Sequence, residues 1–383
     1  MKASIHNKIK LYLNANYHRD KKKIVFGAWM GQKFADNPKF LFLETVKSGK
    51  FDALWVTKNP DVYSSLKGQG LPVEMDDSEQ GIEFQKNAMF FVICTGVRDI
   101  NQDYIGGATI INQWHGVPLK KVMWDDNINP KFNWFTYRLK TIIDYIPLRK
   151  MYVLSTSDDM QKIMMRSFKK SKKWAPILGQ VRNDLFFSEE FHESINLSKF
   201  KGRRIITYMP THRNEGKSVM NIGNLIDLNA IDALCKKYGY VFVIKKHFYH
   251  ANEDISYTNS FEYILDITRE GIDAQEMMKY SDVLITDYSS CYIDYLLLNR
   301  PILFYAYDLD QYLKKDRKMN FSYEEAAAGP IIQEREALSK EIEKVMLGID
   351  DYRDLRHKVK HIFYNDETSA YSGTKVLEFI QNL

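Results

Sequence analysis

Apolar residues fall into two series of short runs, each followed by a segment of different periodicity. In the first series, KIVFGAW, FDALWVT, FFVICTG, ATIINQW and MYVLSTS are short and rich in β-branched and aromatic residues, which predicts strands. NPKFLFLETVKS and DDMQKIMMRSF carry helical spacing. Strands alternating with helices predict βα units and a parallel sheet.

A second series follows FHESINLSKFKGRR. RIITYMP, YVFVIKKH, SDVLITDYSS and RPILFYA read as strands, the third of them running into a helix. IGNLIDLNAIDALCKKYG reads as a helix that stops at Gly239, as a C-cap glycine would. REALSKEIEKVMLG, DYRDLRHKVKHIF and GTKVLEFIQNL are helical. The expectation is an α/β chain of two Rossmann-like domains, 1–188 and 189–383, with a final helix that can pack back on the first domain. A length of 383 residues agrees, since single cores stop growing at about 250–300.

Composition narrows the class. Hydrophobic residues at 45% and charged residues at 27% are ordinary for a globular protein. A net charge of +5 is mild, and the basic residues are dispersed rather than gathered with a reader motif, so nucleic acid is not an expected partner. Cys94, Cys235 and Cys291 form neither a disulfide framework nor a zinc pattern, which suits a reducing compartment. The basic N-terminus lacks an apolar core, so no secretory signal is expected. The longest apolar run, AMFFVICTGV, is too short for the ~20 residues that span a bilayer. A cytoplasmic protein, peripheral on the inner face of the membrane, is the expected location. Aromatics at 14%, many beside Lys or Arg, add to that picture. Ile5, Ile9, Leu13 and Tyr17 among basic residues, the stretch 130–150, and the stretch 161–174 with Met164, Met165, Phe168 and Trp174 could each lie on anionic lipid. Taken singly, each reads better as an amphipathic helix packed on its own domain, and it is the three together that bring a membrane surface into the reading.

Open α/β sheets bind ligands at the carboxyl ends of their strands, and the second series has candidate groups there. Thr211, His212 and Arg213 follow one strand, and the planar fork of Arg suits phosphate. Lys245, Lys246 and His247 close another. Asp287, Ser289 and Ser290 lead from a strand into a helical pattern, where hydroxyls and free N–H groups would make an anion site. They could also simply cap that helix. Asp294 lies one helical turn on and could reach a ribose. Together these loops would suit a nucleoside diphosphate conjugate. In the first series, His115 follows a strand in QWHGVPLKK, and Gly116 would let a substrate approach the backbone. Read alone, His115 is more readily a structural histidine than a general base, since short motifs match by chance.

The motifs NQWHGVPLKK, YMPTHR, KKH, ITDYSSCYIDYLLLNRPILFYAYDLDQY and EEAAAGPII, with FGAWMGQKFADNPKFLF before them, resemble the CDP-glycerol glycerophosphotransferases, the teichoic-acid primases and polymerases and their capsule-polymer relatives. The resemblance covers about residues 24–382. It implies a GT-B-like fold with two Rossmann-like domains facing across a cleft. It also implies transfer of glycerol phosphate from CDP-glycerol to a hydroxyl of a lipid-linked or oligomeric acceptor, with release of CMP. On the matching positions, His115 is the implied base and His247 a second essential histidine beside the pyrophosphate. Thr211, Arg213, Lys245, Asp287, Ser289, Ser290, Asp294 and Arg317 fall on the donor side. Gly116, Lys120 and Lys121 fall on the acceptor side. Lys318 replaces a glycine, Ala328 a proline, and His212 an aromatic of the family pattern, which leaves CDP-ribitol open as the donor. No Asp-x-Asp pair stands out, so no metal site or resident cofactor is expected, with a magnesium requirement left open. A glycosyltransferase using a UDP- or GDP-sugar is the competing enzyme, and a non-catalytic surface-binding protein the competing class.

Overall fold

A computed structural model describes residues 17–126, 150–188, 196–213, 220–247, 250, 253, 255–315 and 318–383. Arg317, most of the N-terminal basic segment and the stretch 130–149 lie outside the described residues. The chain forms two compact units. One comprises Met1–Val117, Val122–Asp184 and Tyr364–Leu383, the other Pro118–Lys121 and Leu185–Phe363.

The first unit holds six parallel strands: β1 (Asp20–Phe26), β2 (Asp52–Thr57), β3 (Val73–Met75), β4 (Ala88–Ile93), β5 (Thr109–Asn112) and β6 (Met151–Val153). Their order across the sheet is β3-β2-β1-β4-β5-β6. Crossovers therefore run in opposite directions from the central pair, β1 and β4, in register at Ile24 with Phe90 and Val25 with Phe91. The loops leaving these two strands diverge, and a crevice opens at their carboxyl ends.

The second unit repeats the plan with β7 (Arg204–Tyr208), β8 (Tyr240–Ile244), β9 (Ile264–Asp266), β10 (Val283–Thr286), β11 (Ile302–Tyr305) and β12 (Ile331–Ile332). The order is β12-β11-β10-β7-β8-β9, again all parallel, with β7 and β10 as the central pair. Every residue of β8 is buried, as helices covering both faces of a parallel sheet require.

Several local expectations change. IGNLIDLNAIDALCKKYG breaks into a one-turn helix, Ile222–Leu225, and the helix Leu228–Tyr238. Asp227 causes the break by accepting the Ala230 N–H as an N-cap. Gly239 ends the second helix with φ of +73°. The helix after β10 has only five residues, Cys291–Tyr295, and tightens into a 3₁₀ turn, Leu296–Leu298. The stretch 161–174 is not a lipid-facing helix. Met164 and Phe168, on the helix Asp158–Phe168, are buried in the core with Trp114, Phe91 and Val153. Trp174 packs on Tyr152 at 4.6 Å between ring centroids. Among the described residues no helix is long and apolar enough to cross a membrane.

The last helix, Ser372–Gln381, is part of the first unit. Its opening N–H groups, on Ser372 and Gly373, donate to the Asp184 carboxylate at 2.8 and 2.7 Å. Phe379 meets Tyr152 edge-on.

Gly329, in AAAGPII, shows why one glycine is needed. A Cβ built there would lie 2.0 Å from the Ile302 carbonyl oxygen. That backbone leads into the pairing of β11 with β12, where Phe304 N–H donates to the Pro330 carbonyl at 3.0 Å. Gly329→Ala must push two strands apart. The expected loss is about 1–3 kcal/mol, the usual cost of overpacking, measured as a lower urea midpoint at unchanged m-value.

Candidate active site

In the second unit the crevice between β7 and β10 is organised by Asp287, the first residue after β10, whose side chain is fully buried. Its Oδ1 accepts the Thr211 N–H at 2.9 Å, across from the loop after β7. Its Oδ2 accepts from Arg213 at 2.9 Å. Arg213 also grips Asp308 with two donors, Nε at 2.7 Å and a terminal nitrogen at 3.0 Å, and donates to the Thr211 carbonyl at 2.6 Å. A planar fork meeting a carboxylate in this way is stronger than a single ion contact. Burial disfavours the cation, but Asp287 and Asp308 more than offset that and raise its pKa above the ordinary value.

Tyrosines close around this pair. Tyr288 donates its hydroxyl to Asp308 at 2.9 Å and stacks on Tyr312 with ring centroids 3.7 Å apart. Burial, then Asp308, push the Tyr288 phenol well above its usual range, so it remains a donor. Tyr323 donates to the Asp287 carbonyl at 3.1 Å. Arg213 and Asp287, expected at the donor phosphates, are thus turned largely into protein contacts that hold the loops after β7, β10 and β11 together.

The remaining candidates divide between loop and core. Lys245, Lys246 and His247 leave β8 with alternating direction. Lys245 and His247 are half-buried, and the His247 ring lies 4.7 Å from that of His212. Lys246, expected in the phosphate pocket, points into the core instead, 3.0 Å from Glu253 and 3.6 Å from Asp266. A strand reverses its side chains at each residue, so the three cannot share one face. Ser289 and Ser290 are half-buried. Ser289 Oγ accepts the Cys291 N–H at 3.3 Å, and the Ser290 side chain makes no capping bond. The five-residue helix behind them is too short for the anion-binding terminus expected from the sequence. Asp294 is fully buried and accepts from Gln275 at 3.0 Å, so its carboxylate is held in the interior rather than offered to a ribose. Thr211 is buried, and among the described residues its hydroxyl has no hydrogen-bond partner.

Pro118–Lys121 belongs to the second unit. Lys120 bridges Met319, Lys121 N–H donates to the Lys318 carbonyl at 2.8 Å, and Asn320 donates to the carbonyls of Pro118 and Lys120, each at 2.9 Å. Lys120 extends its ammonium to the Tyr312 hydroxyl. An acceptor-side role for Lys120 therefore competes with a contact inside its own unit.

In the first unit, His115 follows β5 on a backbone of unusual shape. Trp114 has φ of +55° and Gly116 of +140°. Gly116 is explained by that conformation, which a side chain would strain. Asn112 accepts the Trp114 N–H at 2.9 Å, Asn37 donates to the Trp114 carbonyl at 2.9 Å, and Arg182 donates to the His115 carbonyl at 3.2 Å. The ring lies against Trp114 and Trp29, at 4.2 and 5.7 Å between centroids. His115 Nδ1 is 3.1 Å from the Cys94 carbonyl oxygen. A carbonyl only accepts, so Nδ1 carries the proton and Nε2 presents a lone pair. Burial lowers the pKa below its usual value, with Asp36 partly opposing it, and keeps the imidazole neutral.

Sequence reasoning missed Asp308 and Tyr312, although both stand in the quoted YAYDLDQY, because nothing in their spacing predicts a grip on Arg213. It missed Asp36 and Arg182, a buried pair at 2.8 Å behind His115, because they lie far apart in the chain. No sequence signal marks the Cys94 carbonyl. Among the described residues no group of three or more His, Cys, Asp or Glu side chains could hold a metal ion.

Residues 10–382 match the family described as CDP-Glycerol:Poly(glycerophosphate) glycerophosphotransferase. The chain is 28% identical to a teichoic acid poly(glycerol phosphate) polymerase of Staphylococcus epidermidis over 94% of its own length, but spans only half the length of that protein. It is 25% identical to a teichoic acid glycerol-phosphate transferase of Staphylococcus aureus, covering 92% of this chain and 90% of that one. A solved structure of the wall teichoic acid polymerase TagF superposes with a TM-score of 0.75 at 25% identity, over 98% of this chain and 94% of the other. The GT-B-like class, with two Rossmann-like domains, is the fold.

Replacing Arg213 with Met would leave the buried Asp287 carboxylate without its cation. The expected destabilisation is about 3–5 kcal/mol, as for any buried pair broken on one side, seen in denaturant unfolding. Arg213→Lys, which keeps the charge but not the fork, should lose less.

Proposed function

The chain belongs to the CDP-Glycerol:Poly(glycerophosphate) glycerophosphotransferase family, and from that premise we propose that it moves glycerol phosphate from CDP-glycerol to a hydroxyl of a poly(glycerol phosphate)-type acceptor, releasing CMP. The observation that carries the reading is His115: a neutral imidazole, its Nδ1–H held by a carbonyl and its Nε2 lone pair left for a proton. Such a group accepts the proton of an attacking hydroxyl, and its depressed pKa keeps it competent at neutral pH.

The hydroxyl oxygen bonds to the β-phosphorus of the donor while the bond from that phosphorus to the bridging oxygen breaks. The electron pair leaves with CMP, and the hydroxyl proton goes to His115. Phosphoryl transfer of this kind asks for positioning and charge neutralisation more than covalent chemistry. His247, His212, Lys245 and the Ser289–Ser290 loop would meet the donor phosphates, while Arg213 and Asp287 hold the shape of the loops that carry His212, Ser289 and Ser290. Glycerol is favoured over ribitol because both relatives described above are named for glycerol phosphate. The finer reading, of a lipid-linked acceptor and a chain docked on the cytoplasmic face of an anionic membrane, is supported by the basic and aromatic residues of 5–23 and 130–150.

His115→Ala should abolish CMP release while leaving CDP-glycerol affinity, measured by calorimetry, largely intact. Surviving turnover would remove His115 from the chemistry. In the native enzyme the acidic limb of kcat/KM should titrate below the ordinary histidine value of about 6.5, because a pKa lowered by burial keeps the base unprotonated further into acid. Given CDP-glycerol, CDP-ribitol, UDP-sugars and GDP-sugars with a lipid-linked acceptor, the enzyme should release nucleotide fastest from CDP-glycerol. A faster UDP- or GDP-sugar reaction would make it a glycosyltransferase.

A further inference from the structure

Asp99 ends the short turn Val97–Asp99 after β4 and is completely buried. Its carboxylate gathers donors from two loops. Oδ2 accepts the N–H groups of Cys94 at 2.8 Å and Thr95 at 2.7 Å. Oδ1 accepts the Met30 N–H at 2.7 Å and the Thr95 hydroxyl. Among the described residues no cation stands within ion-pair distance of it, so its charge is balanced by N–H and O–H dipoles.

Both loops lead to His115. Cys94 gives its N–H to Asp99 and its carbonyl to His115 Nδ1. Trp29 and Met30, with φ of +49° and +58°, form a turn that side chains disfavour, and the Met30 bond to Asp99 secures it. That turn lays the Trp29 ring against His115. The other charges facing the ring are Asp36, at the start of the helix Asp36–Ser48, and Arg182, in the turn Val181–Phe186. These two pair with each other, so removing Asp99 leaves them in place.

We propose that Asp99 is the positioning residue of His115. It fixes the Cys94 carbonyl that holds Nδ1–H, and with it the tautomer that leaves Nε2 as the acceptor. This rests on His115 being the base. An amide at position 99 cannot substitute. It offers one acceptor oxygen where two are in use, and its NH₂ would face N–H groups.

The test is nitrogen-15 NMR of the full chain labelled at histidine, with the His115 signals identified by their loss in His115→Gln, alongside kinetics of CMP release from CDP-glycerol. Wild-type His115 should be protonated at Nδ1. Asp99→Asn should show a mixture of tautomers and a kcat lower by about tenfold or more, with KM for the donor within about twofold of wild type. An Nε2-protonated ring in the wild type, or an unchanged tautomer and kcat in Asp99→Asn, overturns the proposal. Should Asp99→Asn fail to fold, Thr95→Val deletes one donor to the same carboxylate. It should lower kcat by about two- to threefold at constant KM, and an unchanged kcat there also overturns it. Turnover surviving in His115→Ala would remove the base assignment yet leave the tautomer result standing. Lost turnover there, with Nε2–H in the wild type, would keep His115 in the chemistry but remove both the role of Asp99 and Nε2 as the proton acceptor.

Discussion

A carboxylate buried at the carboxyl end of the central strand pair is what each unit is built around. Parallel strands whose crossovers diverge leave two loops at that point, each with N–H groups that no ladder satisfies. A buried polar group without a partner is costly, and a buried charge more so. One aspartate meets both needs by accepting from both loops. Asp287 does so for the loops after β7 and β10, and Asp99 for those after β1 and β4. The two differ in how the charge is neutralised. Asp287 has Arg213, backed by Asp308. Asp99 relies on N–H and O–H dipoles. The first arrangement is a rigid clamp, while the second holds its loops without adding a cation beside the neighbouring histidine, whose nearest one, Arg182, is paired with Asp36.

This division explains how chemistry is shared along the chain. Side chains that could bind phosphate directly, such as Arg213 and Asp287, are engaged in holding loops. Residues left with half-buried faces include Ser289 and Ser290 on one of those loops, and Lys245 and His247 on the loop after β8. The neutrality of His115 follows from burial against Trp29 and Trp114 rather than from a partner, which is why a lone Trp-His-Gly triplet suggests so little by itself.

Strand runs, their parallel character and the two-series organisation were legible because buried parallel strands are nearly continuous in apolar residues. The edge strands β3, β9 and β12, two or three residues each, were not, since so short a run has no period. Motif positions were legible, but side-chain directions were not. Lys246 is told from Lys245 only by the register of β8, and Asp294 is turned inward by the packing of a five-residue helix. Asp308, Asp36 and Arg182 matter through partners distant in the chain, and such pairings leave no local trace. Met164 and Phe168 look the same in sequence whether they face lipid or a sheet. Their burial against β4 and β6 is a tertiary fact.

The return of Tyr364–Leu383 to the first unit bears on how the protein is made. Every residue of the second unit precedes that segment, whereas the first unit needs it for the Asp184 bonds and the Phe379 contact. On the ribosome, where domains fold as they emerge, the second unit can close while the first still lacks a helix. The face that Ser372–Gln381 covers, including Tyr152, then waits uncovered through the synthesis of about half the chain, a window in which a chaperone would find its apolar surface.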